Sequence, residues 1–126
     1  MNIVKKIMLV VIPFISISVS AEVTQFSLCT FNDGKKMADV QAWLVDWRKL
    51  AKSAGKQYQL KLLNPNAGGD QIHPGSQFGM LGTTPTLTTY GDGWDWWYSA
   101  DEARKLRERL QSLASCGANS IWVSTD

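Results

Sequence analysis

Histidine is almost missing from this 126-residue chain: His73 is the single one. Cysteine is nearly as scarce, with only Cys29 and Cys116, far apart in the chain. These shortages exclude whole classes of chemistry. A zinc centre draws several His and Cys ligands from short spacings, and His73 with the nearby Asp70 does not supply them. Thioredoxin-type exchange needs a CxxC pair, which is absent. There is no Ser-His-Asp arrangement, phosphate loop or dinucleotide fingerprint. GDGWD (91–95) lacks the spacing and closing glutamate of a calcium loop. No metal and no cofactor is expected.

Long apolar runs are also lacking. The longest, IMLVVIPFISI, follows the basic start MNIVKK and is too short for an ordinary membrane span. Small residues at Val19 and Ala21 then complete the pattern of a secretory signal peptide over 1–21. The expected destination is the periplasm or the extracellular medium, with no membrane association after cleavage. The chain carries 13 basic and 11 acidic residues, and Lys5 and Lys6 belong to the leader. The remainder is balanced, eleven against eleven, which gives no support for nucleic-acid binding. An exported chain with two cysteines suggests one disulfide, Cys29–Cys116.

What is plentiful is tryptophan: six, all beyond the leader. Residues 22–126 are enough for one modest core, and large rings help to fill it. EVTQFSLCTF reads as a strand. MADVQAWLVDWRKLAKSAG is the clearest helix, with Val40, Trp43, Leu44, Trp47 and Ala51 on one face, Asp33 as a candidate cap and Gly55 as the stop. YQLKLLNP and FGMLGTTP read as strands two and three, separated by the polar loop NAGGDQIHPGSQ. Tyr90, Trp94 and Trp97 share a helical stripe, Trp96 points the other way, and Ser99 with Glu102 forms a capping-box pattern before a longer helix. SIWVSTD closes the chain as a strand. The order β-α-β-β-α-β predicts an α+β, ferredoxin-like sandwich: a four-stranded antiparallel sheet with two helices on one face.

The segments FSLCTFNDGKKMADVQAWLVDWRKLAK, FGMLGTTPTLTTYGDGWDWW and SIWV resemble the dimeric α/β-barrel group, which includes NIPSNAP-like and antibiotic-biosynthesis-monooxygenase-like proteins. The similarity is nearest to small secreted proteins of marine bacteria. The resemblance implies a homodimer with two sheets packed face to face, sometimes around a ligand cavity. Some members of that group are cofactor-free oxygenases and others are haem-linked. No catalytic residue carries over by motif.

Alternation along the strands is expected to turn Phe26, Leu28, Tyr58, Leu60, Ile121 and Val123 toward the helices. It then leaves Gln25, Ser27, Cys29, Gln59, Lys61, Leu63, Trp122 and Ser124 on the open face. Such a mixed surface suits a dimer seam, and a small, largely apolar ligand can occupy a cavity within it. The candidate ligand-binding residues are Lys61, Trp122, Gln25, Gln59, Cys29 and His73. A free Cys29 thiol beside Lys61 would be activated, and His73 can act as acid or base from a loop at the cavity mouth. Three readings stay open: a ligand-binding dimer, a cofactor-independent oxygenase or isomerase using the same cavity, and a structural dimer.

Overall fold

The computed structural model describes residues 21–125. All of the expected leader but Ala21 therefore lies outside the described residues. The elements run β1 (Val23–Phe31), α1 (Met37–Ser53), β2 (Gln59–Leu63), β3 (Gln77–Thr84), α2 (Leu87–Ser99), α3 (Asp101–Leu113), β4 (Ala114–Cys116) and β5 (Ser120–Val123). All strand pairings are antiparallel, in the order β2-β3-β1-β4, with β5 also on β1. This is the ferredoxin-like arrangement. The helices lie together over one face of the sheet, where Val40, Trp43, Leu44 and Trp47 of α1 are buried with Phe78 and Leu60.

The expected fourth strand is two segments sharing one lane of the sheet. β3 occupies one edge of β1 from Val23 to Thr30, so β4 and β5 must share the other. Residues 117–119 bulge between them. Asn119 in the bulge accepts a hydrogen bond from the buried Ser27 hydroxyl, and Gly117 N–H donates to the Leu28 carbonyl at 2.8 Å. The bulge thus keeps a backbone partner for Leu28 and adds a side-chain partner for Ser27.

Helix ends differ from expectation in two places. Asp33 is not the cap of α1: the chain enters at Lys36, whose backbone N–H donates to the Asp39 carboxylate at 2.9 Å. Ser99 does not cap α3 either, since its hydroxyl donates back to the Asp95 carbonyl and the extended Ala100 breaks the chain between α2 and α3. The working capping box is Thr86 with Thr89. The Thr86 hydroxyl accepts from Thr89 N–H at 3.1 Å, and the Thr89 hydroxyl accepts from Thr86 N–H at 3.0 Å. Gly55 does stop α1, with a left-handed φ of 69° that suits glycine.

The disulfide Cys29–Cys116 is present. The sequence places Cys116 at a helix end, away from the strand that holds Cys29. In the fold α3 stops at Leu113 and passes straight into β4, which sets Cys116 directly opposite Cys29. A free, Lys61-activated Cys29 is therefore excluded: Cys29 is bonded and fully buried.

The face assignment of β1 is reversed. Gly82 and Met80 lie opposite Gln25 and Ser27, and on β2 they lie opposite Leu60 and Leu62, which are half-buried or buried. Val23, Gln25, Ser27 and Cys29 thus face the helices, while Phe26 and Leu28 face away. Reading apolar residues as inward fails here because Gln25, Ser27 and the bonded Cys29 find specific partners on the helix side, while Phe26 and Leu28 turn to the open side. The helix side is polar but satisfied, and the far side is apolar. That far side carries Phe26, Leu28, Leu63, Leu81 and Trp122, the last 66% exposed.

A cross-link over 87 positions removes much of the unfolded chain's freedom, on the order of 4–5 kcal/mol in the entropic model. Cys116→Ser is expected to lower the urea midpoint by the equivalent of about 2–4 kcal/mol. Reductant should reproduce that loss in the parent and leave the variant unchanged. Equal midpoints for oxidised parent and variant would contradict it.

Candidate functional site

The floor of the site is an empty place in the sheet. Gly82 on β3 sits between Gln25 and Leu60. The Tyr58 ring lies over it so closely that a Cβ on Gly82 would come within 2.5 Å of the phenol oxygen. Gly93 on α2 approaches the same ring from above, at 3.1 Å for an added Cβ. Two glycines on different elements therefore make the slot that holds one tyrosine.

Gln25 fixes the ring in the plane of that slot. Its side-chain carbonyl accepts from the Tyr58 hydroxyl at 2.8 Å and from Trp94 Nε1 at 2.9 Å. Two donors saturate the two lone pairs of that oxygen, so further contacts from Gln25 would come from its amide NH2. Trp43 Nε1 donates to the Leu106 carbonyl at 2.8 Å, which anchors α1 to α3, and the Trp43 ring meets Trp97 edge-on at 6.3 Å. Trp47 meets Tyr58 edge-on at 5.9 Å.

These rings enclose a cavity of about 90 Å³ between the helices and the sheet. Trp43 and Trp47 of α1, Trp94 and Trp96 of α2, Tyr58 and Gln25 form its walls. Its walls are mostly carbon, with Gln25 and Tyr58 as the polar exceptions. Burial pushes the Tyr58 phenol well above the usual tyrosine range, and the neighbouring Tyr90 adds to the effect. Tyr90 is shifted upward for the same first reason. Tyr58 is thus a neutral hydroxyl at physiological pH, able to donate or accept a hydrogen bond but not to act as a base.

A separate open groove of about 470 Å³ lies between the end of α1 and β2. Trp47, Tyr58 and Leu60 line both spaces. Arg48, Lys52, Lys56 and Lys61 line the groove, which no carboxylate does. Lys56 reaches Asp92 on α2 at 2.9 Å, and Arg48 donates to the Leu60 carbonyl at 3.0 Å.

The expected site residues are dispersed. Gln25 is in the cavity, on the face opposite to the expected one. Cys29 is in the core and in the disulfide. Gln59 and Lys61 lie exposed at the β2 edge. Trp122 lies on the open face, with its Nε1 donating to Ser120. His73 is exposed on the loop before β3. That loop joins the sheet at Gln77, opposite Thr30, five residues along β1 from Gln25, or roughly 17 Å. It does not reach the cavity. Trp96, expected to face outward, packs against the core and lines the cavity beside Trp97. This cavity lies between the helices and the sheet of a single chain. Among the described residues, no group of three or more His, Cys, Asp or Glu converges on a metal-sized space.

No protein-family model matches the chain, and no curated protein matches it by sequence. Solved structures match it by fold. SnoaB, a cofactor-independent oxygenase from Streptomyces nogalater, aligns with a TM-score of 0.59 at 11% identity, covering 85% of this chain and 96% of its own. A dimeric ferredoxin-like protein from an uncultured marine organism aligns at 0.56 and 9% identity, covering 85% and 98%. A hydroxynitrile lyase from Passiflora edulis aligns at 0.56 and 10% identity, covering 83% and 94%. At such identities the likeness establishes the fold and leaves the chemistry to the site.

Replacing Gln25 by leucine should leave two ring donors without their acceptor, at about 1–3 kcal/mol each where they stay dry. Tyr58→Phe, which removes only one donor, should cost less. Because the Tyr58 phenol is raised in the fold, the unfolded chain loses its proton first as pH climbs past about 10. Stability is then complete below pH 10 and declines above it, and Tyr58→Phe should flatten that decline in urea titrations. An unchanged alkaline slope would show that the ring is free to ionise in the folded state.

Proposed function

We propose that the protein is exported and acts as a homodimeric binder of a small, largely apolar, planar ligand. In this reading the ligand occupies the tryptophan-walled cavity of each protomer. The observation that carries it is the set of Trp43, Trp47, Trp94 and Trp96 around an open volume with Gln25 and Tyr58 as its hydrogen-bonding partners. Ligand pockets commonly combine apolar walls with a few placed polar groups. Aromatic walls favour a flat partner, since offset and edge-on ring contacts add about 0.5–1.5 kcal/mol beyond area alone.

The oxygenase or isomerase reading rests on the cofactor-independent oxygenase and the lyase among the fold neighbours. Proton abstraction in this cavity would need a base, and its titratable wall group, Tyr58, is neutral at physiological pH. Binding is therefore the better-supported reading. Export is supported by the basic-apolar leader and by the disulfide. No helix among the described residues is long and apolar enough to cross a membrane. Pairing of two open faces is supported by the apolar set Phe26, Leu28, Leu63, Leu81 and Trp122, and by a dimeric fold neighbour.

Calorimetric titration with p-cresol is expected to show one saturable site per chain. Trp96→Ala should weaken it by about threefold to tenfold, the equivalent of one ring contact. Heat signals without saturation would end the proposal. Sedimentation should give a dimer for the parent and a folded monomer for Leu81→Glu; a parental monomer would remove the dimer from the reading.

A further inference from the structure

Tyr90, Trp94 and Tyr98 stand four residues apart on α2, a spacing that lays their rings along one ridge of the helix. The ring centroids of Tyr90 and Trp94 are 6.2 Å apart, and those of Trp94 and Tyr98 are stacked at 5.3 Å. At its inner end the ridge meets Tyr58, 6.4 Å from Tyr90, and Tyr58 meets Trp47 at 5.9 Å. Five oxidisable rings therefore make an unbroken line, each step within the range of direct ring contact. The line begins at Trp47, 6% exposed, and ends at Tyr98, 64% exposed. Core packing accounts for its inner half, because Trp47 and Tyr58 belong to the hydrophobic cluster. Tyr90, Trp94 and Tyr98 lie beyond that cluster.

The hydrogen bonds give the line a direction. Removing an electron from an indole or a phenol makes its N–H or O–H strongly acidic, so the radical comes to rest where the proton can leave. Tyr58 and Trp94 both donate to the Gln25 side-chain carbonyl, and an amide oxygen is too weak a base to keep a proton from either. Tyr98 is open to water, which can take it. Arg107 lies 5.1 Å over the Tyr98 ring and makes a positive charge there costly, so this ring holds a radical only in its neutral, deprotonated form. We infer that the line is an outlet for oxidising equivalents: an organic peroxyl radical that reaches the tryptophan core is reduced there by an electron drawn from Tyr98. The peroxyl radical gains that electron and a proton from water and becomes a hydroperoxide. Tyr98 loses the electron and releases its phenol proton to water, and the rings between are left unchanged. Trp47, Tyr58 and Trp94 also wall the cavity, so an oxidant there touches the line directly. The path needs no bound ligand and stands apart from the binding function.

Pulse radiolysis tests it. Azidyl radicals oxidise tryptophan in preference to tyrosine near neutral pH, and the indolyl and tyrosyl radicals absorb at different wavelengths. Trp122, exposed on the other face of the sheet, is first replaced by phenylalanine so that direct attack there does not mask the signal. In that protein the indolyl absorption should decay as tyrosyl absorption grows, at a rate independent of protein concentration. Adding Tyr98→Phe should slow the decay at least about tenfold. Adding Trp94→Phe should do the same, because a phenyl ring is too hard to oxidise to relay an electron. If Tyr98→Phe leaves the rate as it was, the electron comes from Tyr58 or Tyr90 and the outlet is wrong. If Trp94→Phe is silent, the ridge of α2 is not the route and the inference falls. A rate that rises with protein concentration, or an absence of tyrosyl growth, overturns it too. Circular dichroism checks that both variants keep the fold. Tyr98→Phe, a change at an exposed hydroxyl, keeps the test decisive should Trp94→Phe prove unstable.

Discussion

One carbonyl oxygen organises this molecule. The Gln25 side chain receives Tyr58 from the edge of the sheet and Trp94 from the helix above, and so ties three elements at a single atom. An amide taken partly out of water is costly unless its partners are supplied, and the fold meets that demand with rings. Gly82 and Gly93 then follow as requirements. Without them the Tyr58 ring would not fit between β3 and α2, and its hydroxyl would not reach Gln25. The cavity is the space left when flat groups are held edge to face by fixed hydrogen bonds and do not collapse onto one another.

The same demand explains the unusual central strand. β1 turns Gln25, Ser27 and the bonded Cys29 toward the helices, where one might expect leucine and valine. Each has a specific partner: two ring donors, Asn119 in the bulge, and Cys116 across the ladder. The apolar residues Phe26 and Leu28 turn to the other face, with Gly79 between Phe26 and Leu63 making room for the phenyl ring. The sheet is therefore dressed on both sides. Specific polar contacts organise the covered side, and bulk hydrophobic surface marks the side that a partner would cover.

The element order and the helix face were legible because their signals are periodic. Val40, Trp43, Leu44, Trp47 and Ala51 recur at helical spacing and are all buried. Tyr58, Leu60 and Leu62 alternate and do face the helices. The pairing of the two cysteines was legible from their number and from the leader. The site was harder to see. Alternation tells which residues share a face, but not which face is inside, and in β1 the apolar cue points the wrong way. Gly79 and Gly82 look like weaknesses in a strand pattern, although their spacing of three places them on opposite faces, each under a ring. Trp96 was misplaced because Asp95, Tyr98 and Ser99 take the outward side of that turn. The basic groove combines Arg48 and Lys52 of a helix with Lys56 and Lys61 of the following turn and strand, a grouping that appears only once the chain has folded back.

The sulfur bridge also divides the chain topologically. Residues 29 to 116 form a closed covalent hoop holding the three helices, β2 and β3, with two short tails outside it. The described strand residues of the two tails pair with each other: Val23 lies opposite Val123, and Phe26 opposite Ser120. This corner of the sheet is held by strand pairing with β3 and β5 rather than by the cross-link. Gln25 belongs to that corner. The oxygen that holds the cavity's rings in place is carried by the part of the molecule with the least covalent restraint.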